Sequence, residues 1–189
     1  MLQWPIMTTL AYPPPLDDGV VRVRPWHDGD LRCVEQASQD PTIPLGTTVP
    51  ARYTEEEGRA YLARQHARLT SGQGISLAIA CLDTDEAVGH INLMTRPQRG
   101  VAGIGYWVVP AARRQGVAPR AIALLTAWGL GAGGFARVEA WVDPDNHASQ
   151  RVLELCGYLL EGRLRSFLTF GGRRTDVLVY SRVTADAGR

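Results

Sequence analysis

Tyr106-Trp107-Val108-Val109-Pro110-Ala111-Ala112-Arg113-Arg114-Gln115-Gly116-Val117-Ala118 runs from an apolar strand into a turn and on into the start of a helix. The first N–H groups of a helix have no intrahelical acceptor, and its aligned peptide dipoles leave partial positive charge there, so such a turn suits a diphosphate. Gly116 removes the Cβ that would hold a ligand off, and Ala118 keeps the next turn small. Ala118, Ala121, Ile122, Leu125, Trp128 and Gly129 then recur at helical spacing, an apolar stripe that packs a helix onto a sheet. Pro119 fits the first helical turn, where its missing N–H costs nothing. An ordinary strand-to-helix turn has the same order of elements, so the rest of the chain must decide between the two.

Upstream, residues 1–19 contain Pro13-Pro14-Pro15 and predict an extended arm, within which Met7 is an alternative start. Val20 to Arg24 alternates apolar and basic residues and predicts a strand, and Asp28-Gly29-Asp30 opens a helix to about Ser38. Pro41, Pro44 and Pro50 make Asp40 to Tyr53 an irregular loop, and Thr54 with Glu57 forms a capping box for a helix to about Leu69. Strands are expected over Ile75–Leu82, Val88–Thr95, Val101–Val109 and Val138–Val142, the last short and apolar, as a strand buried on both faces would be. Asp145-Asn146 caps a helix that Gly157 ends. Phe167–Phe170, Gly171-Gly172 and Thr175–Arg182 read as a closing hairpin, followed by a flexible tail over 184–189.

The length of 189 residues suits one domain, taken here as residues 20–183. With 20 basic against 19 acidic residues, no global field argues for nucleic acid or a membrane surface as partner. Every basic residue is arginine, which excludes Schiff-base lysine chemistry. Cys33, Cys81 and Cys156 are odd in number and widely spaced, as reduced thiols in a cytoplasmic protein would be, and His27, His66, His90 and His147 show no metal-site spacing. The first residues lack the pattern of a secretory signal and no stretch has the length of a membrane span, so the expected location is the cytoplasm.

Arg113, Gly116 and Ala118 fill the pattern Arg or Gln, two residues, Gly, one residue, Gly or Ala. On these residues the chain resembles the GCN5-related N-acetyltransferases (GNAT), whose acetyl-coenzyme A motif this is. Asp143-Pro144-Asp145-Asn146-His147-Ala148-Ser149, followed by Val152, Glu154, Gly157 and Tyr158, is similar to the Rim-type ribosomal-protein N-terminal acetyltransferases, and the order of elements matches from Val20 onward. The resemblance implies an α/β (α+β) acyl-CoA N-acyltransferase fold, with a mixed, mostly antiparallel central sheet flanked by helices. It also implies acetyl-CoA as cofactor and acetyl transfer to a primary amine, on a protein N-terminus or a small molecule, by direct attack through a tetrahedral intermediate. A homodimer, as in many relatives, is open.

Site residues follow from the same resemblance. Main-chain amides of Arg113, Arg114, Gln115, Gly116, Val117 and Ala118 would grip the diphosphate. The pantetheine arm would lie along the strand carrying Trp107, Val108 and Val109, with N–H groups near Val108 and Val109 meeting the thioester oxygen. Asn146 and Ser149 would touch the arm, and Ser149 would protonate the leaving thiolate; a helix cap is the other reading of Asn146. The acceptor pocket would be lined by the loop from Asp40 to Tyr53, the first helix and the closing hairpin, with Trp26, Tyr53 and Tyr106 as walls, although core packing explains Trp26 and Tyr106 as well.

One position departs from the pattern. The Rim-type strand often reads Glu-Ile-Gly-Tyr, with the glutamate as base, and this chain reads Gly103-Ile104-Gly105-Tyr106. His90, Glu139 or bulk water is left to take the proton, and an α-amine, with a pKa near ~8, needs a dedicated base less than a lysine does. Gly103 also leaves open a non-catalytic coenzyme A sensor or scaffold, and the turn alone would suit a nucleotide-binding module.

Overall fold

The structure, a computed structural model, describes residues 10–170 and 172–184, so the readings of residues 1–9 and 185–189 lie outside it. Strand β1 (Leu16–Asp17) leads into β2 (Val21–Pro25), a 3-10 turn at Asp28–Asp30, α1 (Leu31–Ser38), α2 (Ile43–Gly46) and α3 (Glu55–Thr70). Then come β3 (Gly74–Cys81), β4 (Ala87–Thr95), β5 (Val101–Val108), a 3-10 turn at Pro110–Ala112 and α4 (Val117–Leu130). The chain closes with β6 (Arg137–Val142), α5 (His147–Leu155), β7 (Leu159–Phe170) and β8 (Arg173–Val183). All strands join one eight-stranded sheet in the order β1-β2-β3-β4-β5-β6-β8-β7, antiparallel except for the β5–β6 pair.

Four expectations change. After the proline run, Leu16 and Asp17 pair with Val23 and Arg22 as an edge strand, the position in a sheet where proline-rich chain is tolerated. The loop over 40–53 contains the single helical turn α2, because Pro44 lies in its first turn, where no N–H is needed. β7 starts at Leu159, not Phe167, and carries register shifts at Leu160/Gly162 and Leu164/Leu168 that blur its alternation. β6 is not buried on both faces: Val138, Ala140 and Val142 are buried, while Arg137, Glu139 and Trp141 are only partly so.

The sheet lies between two helical layers. Tyr61 and Leu62 of α3 and Val34 and Ala37 of α1 are buried on one side; Ala121, Ile122 and Leu125 of α4 and Leu153 of α5 are buried on the other. Side chains along β3 are buried on both faces, which fixes the middle of the sheet as the rigid frame.

The parallel pair β5–β6 is where the frame opens. Val101, Ala102 and Gly103 pair with Arg137, Val138 and Glu139, and the pairing stops there among the described residues. β5 runs on to Val108 bonded to β4 alone, up to Gly89↔Val108. From Ile104 onward the β6-facing edge of β5 is therefore free, and α4 starts from the end of this open edge.

Candidate functional site

The turn from β5 to α4 is held in an unusual backbone conformation. Arg114 has φ 61° and Gly116 has φ 76°, the left-handed region in which a side chain is strained. Among the described residues, the N–H groups of Arg114, Gln115, Gly116, Val117 and Ala118 have no hydrogen-bond acceptor, whereas Arg113 N–H bonds Pro110 O and Arg120 N–H bonds Gly116 O. A Cβ at Gly116 would find no protein atom nearer than Arg120 Nε at 3.8 Å, so the space in front of these amides is open. The donors, the helix N-terminus and the missing Cβ fit a diphosphate.

Arg113 does not join them with its side chain. Its guanidinium turns inward, with Nε donating to Val108 O at 2.9 Å and Nη2 to Asp40 Oδ2 at 2.7 Å. Asp40 is 5% exposed and also accepts from Thr42 N, Thr42 Oγ1 and Ile43 N. Although burial alone would raise its carboxyl, these donors and the Arg113 charge outweigh it and hold the carboxyl at about 2. Arg113 thus fastens the end of β5 to the start of α2.

Along the open edge the donors alternate. Val109 N–H, expected to face a thioester oxygen, donates instead to Val88 O at 2.9 Å. Antiparallel pairing alternates direction, so the N–H groups of Val108 and Tyr106 point the other way, into the opening. Across it lies the first turn of α5. Asn146 caps this helix by accepting from Ser149 N at 3.0 Å, and Ser149 Oγ is half-buried and makes no hydrogen bond among the described residues. The Tyr106 hydroxyl reaches over to Ser149 O at 3.4 Å, and burial pushes its pKa up to about 12. Tyr158 is packed away, its hydroxyl 2.7 Å from Thr126 Oγ1.

On the face covered by α1 and α3, Trp107, His90 and Trp26 form a three-ring cluster, with centroids 5.7 Å apart for Trp107 and His90, 6.0 Å for Trp26 and His90, and 6.2 Å for Trp26 and Trp107. Trp26 is 2% exposed, so it belongs to this core cluster and not to a groove wall. Tyr53 is half-buried over Gly58 at the start of α3.

His90 is itself enclosed. Its Nε2 is 3.0 Å from Asn92 Nδ2 and its Nδ1 3.2 Å from the Tyr61 hydroxyl. An amide nitrogen only donates, so with the amide assigned from this network Nε2 accepts and Nδ1–H donates to Tyr61. Burial, with a smaller push from Arg68, lowers the His90 pKa to about 3. The ring is neutral near pH 7 and both its nitrogens are engaged, so its geometry suits holding Asn92. Asn92 Oδ1 is left facing Gly105, 3.2 Å from where a Cβ there would stand.

Beyond Asn92, the Arg96 guanidinium covers Gly103, where a Cβ would come within 2.5 Å of Arg96 Cζ. Arg96 lies over the Trp141 ring at 3.6 Å and its Nε is 3.2 Å from Glu139 Oε1. Glu139 also pairs with Arg137 at 3.2 Å, and Arg137 with Glu161 at 2.5 Å. Glu139 is thus held between two guanidinium groups. Asn92 and Arg96 were not picked out from sequence; the only signal was the missing glutamate at Gly103.

A family model described as an acetyltransferase (GNAT) domain matches residues 21–159. The chain belongs to the GNAT acetyltransferase family. YoaA of Bacillus subtilis (strain 168), named an N-acetyltransferase, is 37% identical over 112 residues, which are 59% of this chain and 63% of YoaA. That match spans less than two thirds of YoaA's length. Among solved structures, RimJ of Mycobacterium smegmatis, in complex with CoA-disulfide, superposes with a TM-score of 0.78 at 24% identity, over 93% of this chain and 88% of RimJ. A GNAT-family acetyltransferase from Bacillus anthracis gives 0.77 at 20% identity, over 91% and 99%. These likenesses show the GNAT fold. No helix among the described residues is long and apolar enough to cross a membrane.

Proposed function

We propose that this GNAT protein moves an acetyl group from acetyl-coenzyme A to a primary amine. The observation that carries the reading is the row of unpaired amides from Arg114 to Ala118, set at the end of a strand whose outer edge is free. When bound, the cofactor supplies a thioester already activated for attack. The Arg114–Ala118 amides would hold its diphosphate, and the N–H groups of Tyr106 and Val108 would stabilise negative charge on the thioester oxygen. Ser149 Oγ, without another partner among the described residues, would pass its proton to the departing thiolate and regain one from the ammonium formed by attack, directly or through water.

Asn92 Oδ1, fixed by His90, accepts from the incoming amine and orients it. His90 positions Asn92 and carries no proton itself, since a pKa of about 3 makes it too weak a base near pH 7. With no free carboxylate beside Gly103, the reaction draws on amine that is already neutral, which favours an acceptor of pKa near ~8 over a lysine near ~10. A protein or peptide N-terminus fits this demand. Fold neighbours named as ribosomal-protein acetyltransferases agree with it, as does the RimJ likeness.

Thiol release from acetyl-coenzyme A, measured across peptides and small amines with mass detection of the acetylated product, tests the proposal. Tight coenzyme A binding without release for any amine would leave a sensor in its place. A larger thermal shift with ATP or NAD than with coenzyme A would refute the cofactor assignment.

A further inference from the structure

Gly103 and Arg96 explain one another. The position that in similar strands carries a glutamate is here a glycine, and the space its side chain would take holds a guanidinium. The Arg96 side chain is 21% exposed, and it is fixed from several sides. Its backbone N–H closes the β4–β5 turn onto Val101 O at 3.0 Å, its plane lies on Trp141, and Trp141 is braced edge-on by Phe167 at 4.8 Å. Glu139 approaches through Nε, which is buried and outside hydrogen-bond geometry despite the 3.2 Å ion pair. Nη1 and Nη2 donate no hydrogen bond among the described residues. Glu139 is also shared with Arg137, so it neutralises Arg96 only in part.

Asn92, Gly105 and Gly103 lie on the same face of β4 and β5, through the register Asn92↔Gly105 and Met94↔Gly103. Arg96 therefore presents an open two-pronged donor on the surface along which the acceptor approaches, about 7 Å of strand from Gly105. A planar guanidinium backed by an aromatic ring, with both amino groups free, matches a carboxylate or phosphate.

We propose that Arg96 selects the acceptor: the preferred amine carries an oxyanion, carboxylate or phosphate, within about one residue's length of its nitrogen, and Gly103 is the space that lets the guanidinium reach it. This rests on the acetyl-transfer reading and names the substrate class of the same site.

The test uses the full chain with saturating acetyl-coenzyme A and matched pairs of α-amines. Glycylglycine against its C-terminal amide reads a carboxylate; O-phosphoserinamide against serinamide reads a phosphate. In at least one pair the anionic member is expected to have kcat/KM higher by roughly tenfold or more, mostly through KM, since a charge-assisted hydrogen bond contributes at least that much. The pair that responds identifies the anion. Arg96→Gln should bring the ratio close to one. Gly103→Ala, which keeps the charge but displaces the guanidinium, should do the same, with circular dichroism confirming that both variants fold. Equal rates within both pairs, or a preference that survives Arg96→Gln, overturns the inference and leaves acetyl transfer standing. Failure of every amine to release thiol overturns acetyl transfer and this inference with it.

Discussion

Replacing Gly116 by valine separates the cradle from the rest of the fold. The residue sits at φ 76°, where an L side chain costs about 1–2 kcal/mol. No protein atom lies within 3.8 Å of the added Cβ, so the cost is backbone strain without a clash. For a chain of this size that strain corresponds to a fall in Tm of roughly 2–8 °C, and the protein still folds. The new side chain enters the space in front of the Arg114–Ala118 amides. Each charge-assisted hydrogen bond that a diphosphate loses there is worth about 1.5–3 kcal/mol. One lost bond weakens coenzyme A binding by about 10- to 150-fold, and two by about 100-fold to beyond 10,000-fold. Isothermal titration calorimetry on the wild type, Gly116→Ala and Gly116→Val, each with coenzyme A and with its Tm recorded separately, reads both effects. A Gly116→Val protein that folds and binds coenzyme A within about twofold of the wild type would refute the reasoning, because the amides would then not be the ligand's partners.

Ser149→Ala should lower kcat by roughly 100-fold while leaving the KM for acetyl-coenzyme A nearly constant; an unchanged kcat removes Ser149 from the chemistry. Arg113→Leu leaves Asp40 with only its local donors and should cost about 1–2 kcal/mol in a denaturant titration, discounted because Arg113 is 42% exposed. Asp40 and Glu161 are both held at about 2, below the 3.8 and 4.5 of unpaired groups. The stability they contribute is present above those higher values and is lost as the pH falls through about 2, so Tm should drop between pH 5 and pH 2; a Tm that rises on acidification contradicts the pairing. Because His90 stays neutral above about pH 3, the log of kcat/KM should follow the ionisation of the acceptor amine. A limb near pH 6.5 that disappears in His90→Gln would restore His90 as the base.

The strand-to-helix turn before α4 and most of the elements were legible because their signals are local: a glycine at a helix start, a Thr54 cap, apolar residues at helical or strand spacing. The Thr54 side chain indeed accepts from Glu57 N. The start of β7 was not legible, since Leu159, Leu160 and Leu164 are exposed and two register shifts break the alternation. The single turn α2 was hidden by the prolines that permit it. At the site, the loop carrying Arg113 could be found from sequence, but not the inward turn of its side chain, which depends on Asp40, distant in the chain and close in space. His90 illustrates the same limit. Its type suggested proton transfer, and only the enclosure by Trp26, Tyr61, Trp107 and Asn92 reveals how far burial depresses its basicity.

The short seam between β5 and β6 also bears on how this molecule breathes. Among the described residues, Val101, Ala102 and Gly103, with Gly100 O accepting from Ala136 N and Arg137 N, stitch the block formed by β1 to β5 to the block formed by β6 to β8, so main-chain continuity across the sheet is thin at its waist. Any occupant that bonds to the free margin of β5 acts as a surrogate strand and lends the waist rigidity. Amide hydrogen exchange near Tyr106, Val108 and the beginning of α5 should then slow far more on saturation with coenzyme A than exchange in β3, which over Leu77–Ala80 is paired with both β2 and β4.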